Sequence, residues 1–188
     1  MYHNIVLIGM MGSGKSTIGH RLAAESGFLF IDTDVLIEAR IQCRISDFFE
    51  KNGEAAFRKI ESEICATLPS YRGHVIATGG GIILAKANRD ILKKTGWVVY
   101  LEASTGQIMT RLAQDQTRPL LQAPDKETRI QTLLTERDAL YRSTAEVVVE
   151  TTAPPDYIAN ALWQTYQRIC GPCEAPPLAP PQGGESYI

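Results

Sequence analysis

The sequence predicts an α/β fold, a parallel sheet with crossover helices on its faces, and three observations carry that prediction. Short, almost wholly apolar runs alternate with longer helix-length segments along the chain, the pattern of strands joined by crossover helices. A glycine-rich segment, Gly9-Met10-Met11-Gly12-Ser13-Gly14-Lys15-Ser16, stands directly after the first apolar run and opens the first helical segment. The second apolar run ends in Asp32-Thr33-Asp34, at the kind of strand end where open α/β sheets bind ligands.

Taken in order, the strands fall at Asn4–Ile8, Phe28–Ile31, His74–Ala77, Trp97–Leu101 and Glu146–Val149. Each run is apolar nearly throughout, as expected of strands covered on both faces. Helices fit at Lys15–Ser26, Gly53–Leu68, Asn88–Lys94, Ser104–Gln114, Lys126–Ser143 and Asp156–Arg168, with a shorter amphipathic piece at Ser46–Lys51. Gly27 and Gly96 follow two of these segments as stop signals, and Ser104 and Asp125 stand where an N-terminal cap belongs. Between the helices, Asp115–Lys126 holds two prolines and no strand pattern, and reads as a mobile loop. Residues 1–170 thus form one domain. Residues 171–188 are rich in proline and glycine with few large apolar side chains, and read as a disordered tail.

Composition narrows the class. The 188 residues are 44% hydrophobic and 21% charged, with a net charge of −2. That size suits one α/β domain with a full core, and the charge balance lacks the basic surplus of a nucleic-acid binder. No apolar run approaches the roughly 18 residues needed to cross a bilayer. The first apolar run leads straight into glycines without a preceding basic residue, unlike a signal peptide. Four cysteines do not make a disulfide framework in this length. The expectation is a cytoplasmic monomer that engages neither nucleic acid nor membrane.

The segment Gly9–Ser16 matches G-x-x-x-x-G-K-S/T between a strand and a helix, the context that marks a phosphate loop. Its glycines let backbone N–H groups close around phosphate oxygens, and the following helix adds its positive end. Gly12, Ser13, Gly14, Lys15, Ser16 and Thr17 are therefore candidate nucleotide contacts. Lys15 would reach the β- and γ-phosphates and the Ser16 hydroxyl would ligate Mg²⁺. Asp32 and Asp34 have three readings: ordering Mg²⁺ through water, holding an acceptor hydroxyl, or capping the next helix.

Further motifs stand at Phe57-Arg58 with Glu61, Thr78-Gly79-Gly80-Gly81, Arg118-Pro119-Leu120-Leu121 and Arg137-Asp138-Ala139-Leu140-Tyr141. With the phosphate loop and Asp32-Thr33-Asp34, this set resembles the shikimate kinase family from Met1 to about Arg168. The resemblance implies a three-layer P-loop kinase fold, a five-stranded parallel sheet in the order 2-3-1-4-5, and a lid over about 115–126. It implies Mg²⁺-dependent transfer of the γ-phosphate of ATP to the 3-hydroxyl of shikimate, a step toward chorismate and the aromatic amino acids. ATP is the co-substrate, with one Mg²⁺ per subunit. By resemblance, Lys15, Asp34 and Arg118 are catalytic, and Asp34 holds the acceptor hydroxyls. Arg58 and Arg137 clasp the acid's carboxylate, and a backbone N–H near Gly80 adds a contact. Arg111 stacks on adenine, Arg118 swings to the phosphates, Asp32 joins Ser16 at Mg²⁺ through water, Phe49 and Phe57 wall the pocket, and Glu61 steadies an arginine.

Plainer readings stand beside these. Arg58 and Arg137 share helices with Glu54, Glu61 and Glu136 and could form surface ion pairs. The three glycines could be a flexible strand exit, the two phenylalanines core, and Arg118 solvated charge. Cys170-Gly-Pro-Cys173 imitates a redox pair but lacks the strand-then-helix context that activates one, while Cys43 and Cys65 read as ordinary helix or core residues. A kinase for another sugar acid such as gluconate, and a nucleotide-binding module without turnover, are the competing functions.

Overall fold

The fold is that of a computed structural model in which residues 3–113 and 125–171 are described. Five strands form one sheet: β1 (Asn4–Ile8), β2 (Leu29–Asp32), β3 (His74–Ala77), β4 (Trp97–Glu102) and β5 (Val147–Glu150). All pairings are parallel, in the order β2-β3-β1-β4-β5, which is the order the family resemblance implies. The helices among the described residues are α1 (Lys15–Ser26), α2 (Thr33–Ile41), α3 (Ile45–Thr67), α4 (Lys86–Thr95), α5 (Thr105–Leu112), α6 (Lys126–Thr144) and α7 (Pro155–Cys170). None of them is long and apolar enough to cross a membrane.

Strand alternation sorts the core into two faces. Ile5 and Leu7 of β1 point toward α1 and α7, where they meet Ile18, Leu22, Ile158 and Tyr166. Val6 and Ile8 point the other way, onto Cys65, Leu92 and Tyr141 from α3, α4 and α6. A smaller cluster of Met10, Met11, Ile108 and Ile130 seats the loop after β1 against α5 and α6. The buried Asn4 ties strand ends together: its amide donates to the Tyr71 and Thr95 carbonyls, and its oxygen accepts from the His74 N–H.

Several expectations need correcting. Only the inner strands are covered on both faces: on the edge strands, Leu29 and Val148 are exposed. A helix absent from the sequence reading, α2, follows β2 immediately, and Asp32 caps it by accepting from the Asp34 N–H at 3.0 Å. The expected division between the short piece at Ser46–Lys51 and the helix from Gly53 holds: α3 is two helical stretches that meet at Gly53, whose φ of 76° is non-helical. Such a φ suits glycine and separates the two helical stretches. Ser104 makes a full capping box with Gln107, whereas the Asp125 side chain caps nothing among the described residues. Cys43 lies exposed in the bend between α2 and α3, neither helix nor core, while Cys65 is buried as expected. Cys170 closes α7, and Cys173, the tail and most of the 115–126 loop lie outside the described residues.

Candidate active site

The site forms where the strand order reverses, outside the carboxyl ends of β1, β2 and β3, as open α/β sheets dictate. Gly9–Gly14 leave β1 and turn into α1, with φ of 74° at Gly12 and 97° at Gly14. A side chain on Gly9 would strike the Leu101 carbonyl, its Cβ lying 2.6 Å from that oxygen. Lys15 is buried and curls over the loop, its ammonium donating to the carbonyls of Gly9 at 2.8 Å and Met10 at 2.9 Å. The Ser13 hydroxyl is buried with no partner among the described residues.

Beside this loop, β2 delivers the two aspartates. The Ser16 hydroxyl donates to Asp32 Oδ2 at 2.8 Å. Capping therefore uses one Asp32 oxygen and the Ser16 contact the other, so two of the three readings of Asp32 are compatible. A cleft of about 170 Å³ is lined by the loop, by Ser16 and Thr17, by Asp32 and Asp34, and by Thr78, Gly80 and Leu112. Thr33 faces away from it, buried, and its hydroxyl accepts from the Gly79 N–H at 2.9 Å.

The run Gly79-Gly80-Gly81 is more than a flexible exit, because each glycine makes room for a different functional group. A Cβ on Gly79 would stand 2.8 Å from Asp34 Oδ1, and one on Gly80 would stand 3.3 Å from the Met11 nitrogen. One on Gly81 would stand 2.6 Å from Arg58 Cζ. Real Cβ atoms do not tolerate the first and third distances, so the Cβ-free backbone is what lets these side chains close in.

Arg58 bonds Glu54 at 3.1 Å and Glu61 at 2.7 Å. The ion-pair reading thus holds: the pair with Glu54, 59% exposed, lies at the surface, whereas Glu61 is 2% exposed. Its second oxygen has no partner among the described residues. Burial pushes the Glu61 carboxyl up from its ordinary value, with Arg58 opposing. Arg58 also lies over the Phe57 ring, which packs against Phe49 with centroids 5.5 Å apart. Phe57 is buried and Phe49 half-buried. Arg137, on α6, is 7% exposed; it reaches the Gly80 carbonyl only at 3.4 Å, and its Nε is unpartnered among the described residues. Its ion pair with Glu136 is not formed among the described residues.

On the far side of the phosphate loop, Arg111 donates to the Gly12 and Ser13 carbonyls at 3.3 and 3.2 Å and to the Thr151 hydroxyl and carbonyl at 3.0 and 2.6 Å. Those bonds tie the phosphate loop to the strand end at Thr151. Arg118 lies outside the described residues. Thr33, Tyr141 and Thr151 were missed as site supports. Tyr141 had a signal in its motif; Thr33 and Thr151 act through partners at least 40 positions away.

A family model for shikimate kinase matches residues 11–167. A shikimate kinase of Halorhodospira halophila is 49% identical over 148 residues, 79% of this chain and 84% of that protein. One of Pseudomonas putida is 47% identical over 167 residues, covering 88% and 97% respectively. The solved Acinetobacter baumannii shikimate kinase, described in complex with shikimate, superposes with a TM-score of 0.86 at 38% identity, over 90% of this chain and 95% of that one. A Sinorhizobium meliloti gluconokinase reaches only 0.54 at 20% identity and shares the fold alone. On the matched residues, the identity and the common architecture, the chain belongs to the shikimate kinase family.

Proposed function

We propose that the chain transfers the γ-phosphate of ATP to the 3-hydroxyl of shikimate, yielding shikimate 3-phosphate and ADP. The single observation that carries this reading is one cleft lined by a phosphate loop, two strand-end carboxylates and Gly80, the last belonging to a glycine run against which Arg58 and Arg137 pack. The loop amides and Lys15 hold the nucleotide phosphates. Asp34 accepts from the acceptor hydroxyl and aims its oxygen at the γ-phosphorus. The new O–P bond forms as the bridging P–O bond to the β-phosphate breaks, and the hydroxyl proton leaves toward Asp34 or solvent. Phosphoryl transfer needs positioning and charge neutralisation more than covalent help, so Asp34 acts chiefly as a positioner. Arg58 and Arg137 clasp the acid's carboxylate, which suits arginine's planar fork better than a point charge. Arg111 stacks on the adenine, and Arg118 completes the phosphate contacts.

The Ser16 hydroxyl and Asp32 carboxylate, 2.8 Å apart, are hard oxygen donors that fit a Mg²⁺ ion, Asp32 acting through water. When bound, that ion neutralises charge on the β- and γ-phosphates. We assign the reaction to a monomer in the cytoplasm. The test is ADP release from Mg-ATP with shikimate, gluconate or nucleoside monophosphates offered separately. Turnover with shikimate alone is expected. Equal or better turnover with gluconate would overturn the acceptor, and no turnover with any would favour a binding module.

A further inference from the structure

Gly80 sits where three segments meet. A Cβ there would stand 3.3 Å from the Met11 nitrogen, 3.4 Å from the Gly9 carbonyl oxygen and 3.5 Å from the Tyr141 hydroxyl. Its carbonyl has two donors of unequal quality: the Tyr141 hydroxyl at 2.6 Å and Arg137 Nη1 at 3.4 Å. The first is a short, strong bond and the second is at the edge of bonding distance. Arg137 is therefore a nearly buried cation with one weak contact to that carbonyl, a side-chain hydrogen-bond interaction with the Tyr141 hydroxyl and an idle Nε, a side chain with donors to spare for an anion.

Tyr141 is fixed for its task. It is 0% exposed, and its ring stacks on Tyr100 with centroids 4.8 Å apart and planes 19° apart. Tyr100 in turn donates to Asp138 Oδ1 at 3.1 Å, and Asp138 holds Arg142 at 2.7 Å. The ring cannot swing without breaking that stack. Burial pushes the Tyr141 hydroxyl up to about 12, so it remains a donor near neutral pH.

We propose that Tyr141 is a positioning residue of the acceptor site, its hydroxyl satisfying the Gly80 carbonyl so that Arg137 is released to the acid's carboxylate. This inference rests on the acceptor assignment made above. Without the hydroxyl, the Gly80 carbonyl keeps only the long Arg137 contact. The guanidinium then settles on that carbonyl, and the substrate carboxylate must compete for it. The Gly80 backbone, no longer held from α6, also loses its fixed placement beside the phosphate loop.

The test is Tyr141→Phe, which keeps the ring, the stack and the packed volume and deletes one donor. The KM for shikimate should rise about 5- to 20-fold, the range expected when a buried carbonyl loses its donor, while the KM for ATP stays within about twofold. Tyr100→Phe removes the neighbouring hydroxyl of the same stack and should leave the shikimate KM within about twofold. In an Arg137→Lys background, adding Tyr141→Phe should raise that KM by no more than about twofold further, as coupled residues do. An unchanged shikimate KM in Tyr141→Phe, an equal rise in Tyr100→Phe, or full multiplicativity with Arg137→Lys would each overturn the proposal. A wild-type protein that releases no ADP with shikimate would instead sink the acceptor assignment and this inference with it.

Discussion

Gly81→Ala is the sharpest probe of the acceptor site, because it attacks Arg58 without altering Arg58. Gly81 has φ −95° and ψ −9°, the bridge conformation that alanine also takes at the third position of type I turns, so no left-handed strain arises. The new methyl carbon would nevertheless lie 2.6 Å from Arg58 Cζ, and the guanidinium must move. Moving it breaks the 2.7 Å bond to Glu61, whose carboxylate is 2% exposed. Breaking a fully buried ion pair costs roughly 3–5 kcal/mol. Arg58 is 27% exposed and can rotate toward solvent, and Glu61 can take up a proton, so the expected loss is about 1–3 kcal/mol. That corresponds to a fall in melting temperature of about 2–12 °C in a chain of this size. Displacing one charge-assisted contact to the acid should cost a further ~1.5–3 kcal/mol of binding, or about 10- to 150-fold in the shikimate KM. Steady-state kinetics with each substrate varied in turn, alongside thermal melting, reads both numbers. A shikimate KM within twofold of wild type, or an ATP KM rising in step with it, would refute the reasoning.

Three other outcomes are expected. Lys15→Ala should lower kcat by about 10²–10³-fold or more while the melting curve survives, and near-normal turnover would dismiss the phosphate cradle. Asp34→Asn keeps a carbonyl acceptor but removes the charge, and should cut kcat about 10²-fold; an unchanged rate would take it out of the acceptor site. Glu61→Gln tests the raised carboxyl. Because its folded-state pKa exceeds its ordinary 4.5, the folded chain keeps a proton that the unfolded chain has lost, so stability from this group falls as pH climbs above 4.5. Melting of both proteins across mildly acid to neutral pH should show wild type losing ground to the variant as pH rises. A difference running the other way would mean that Arg58 outweighs burial.

Much of the fold was legible because it depends on local pattern. The apolar runs of the inner strands, the helix at Lys15–Ser26 and the capping box at Ser104 are written in spacing and residue type, and short-range sterics enforce them. What failed was weakly patterned. Helix α2 buries only Thr33 and Ile37, so its sequence shows no apolar stripe, and its cap begins inside a strand end. The break at Gly53, by contrast, was legible, because a lone glycine between two helical stretches marks a departure of the backbone.

At the site, the phosphate loop could be read from residue order, since eight adjacent residues build it, and so could the strand-end carboxylates. The tertiary structure alone decided which distant groups share a partner. It puts Glu61 out of water beside Asp34, closes Arg58 onto Gly81, hangs Arg111 between the phosphate loop and Thr151, and gives the Gly80 carbonyl to Tyr141. No local periodicity encodes those pairings, because they are chosen by which helix faces and strand ends the packed core brings within bonding distance, often across 40 to 100 positions of chain.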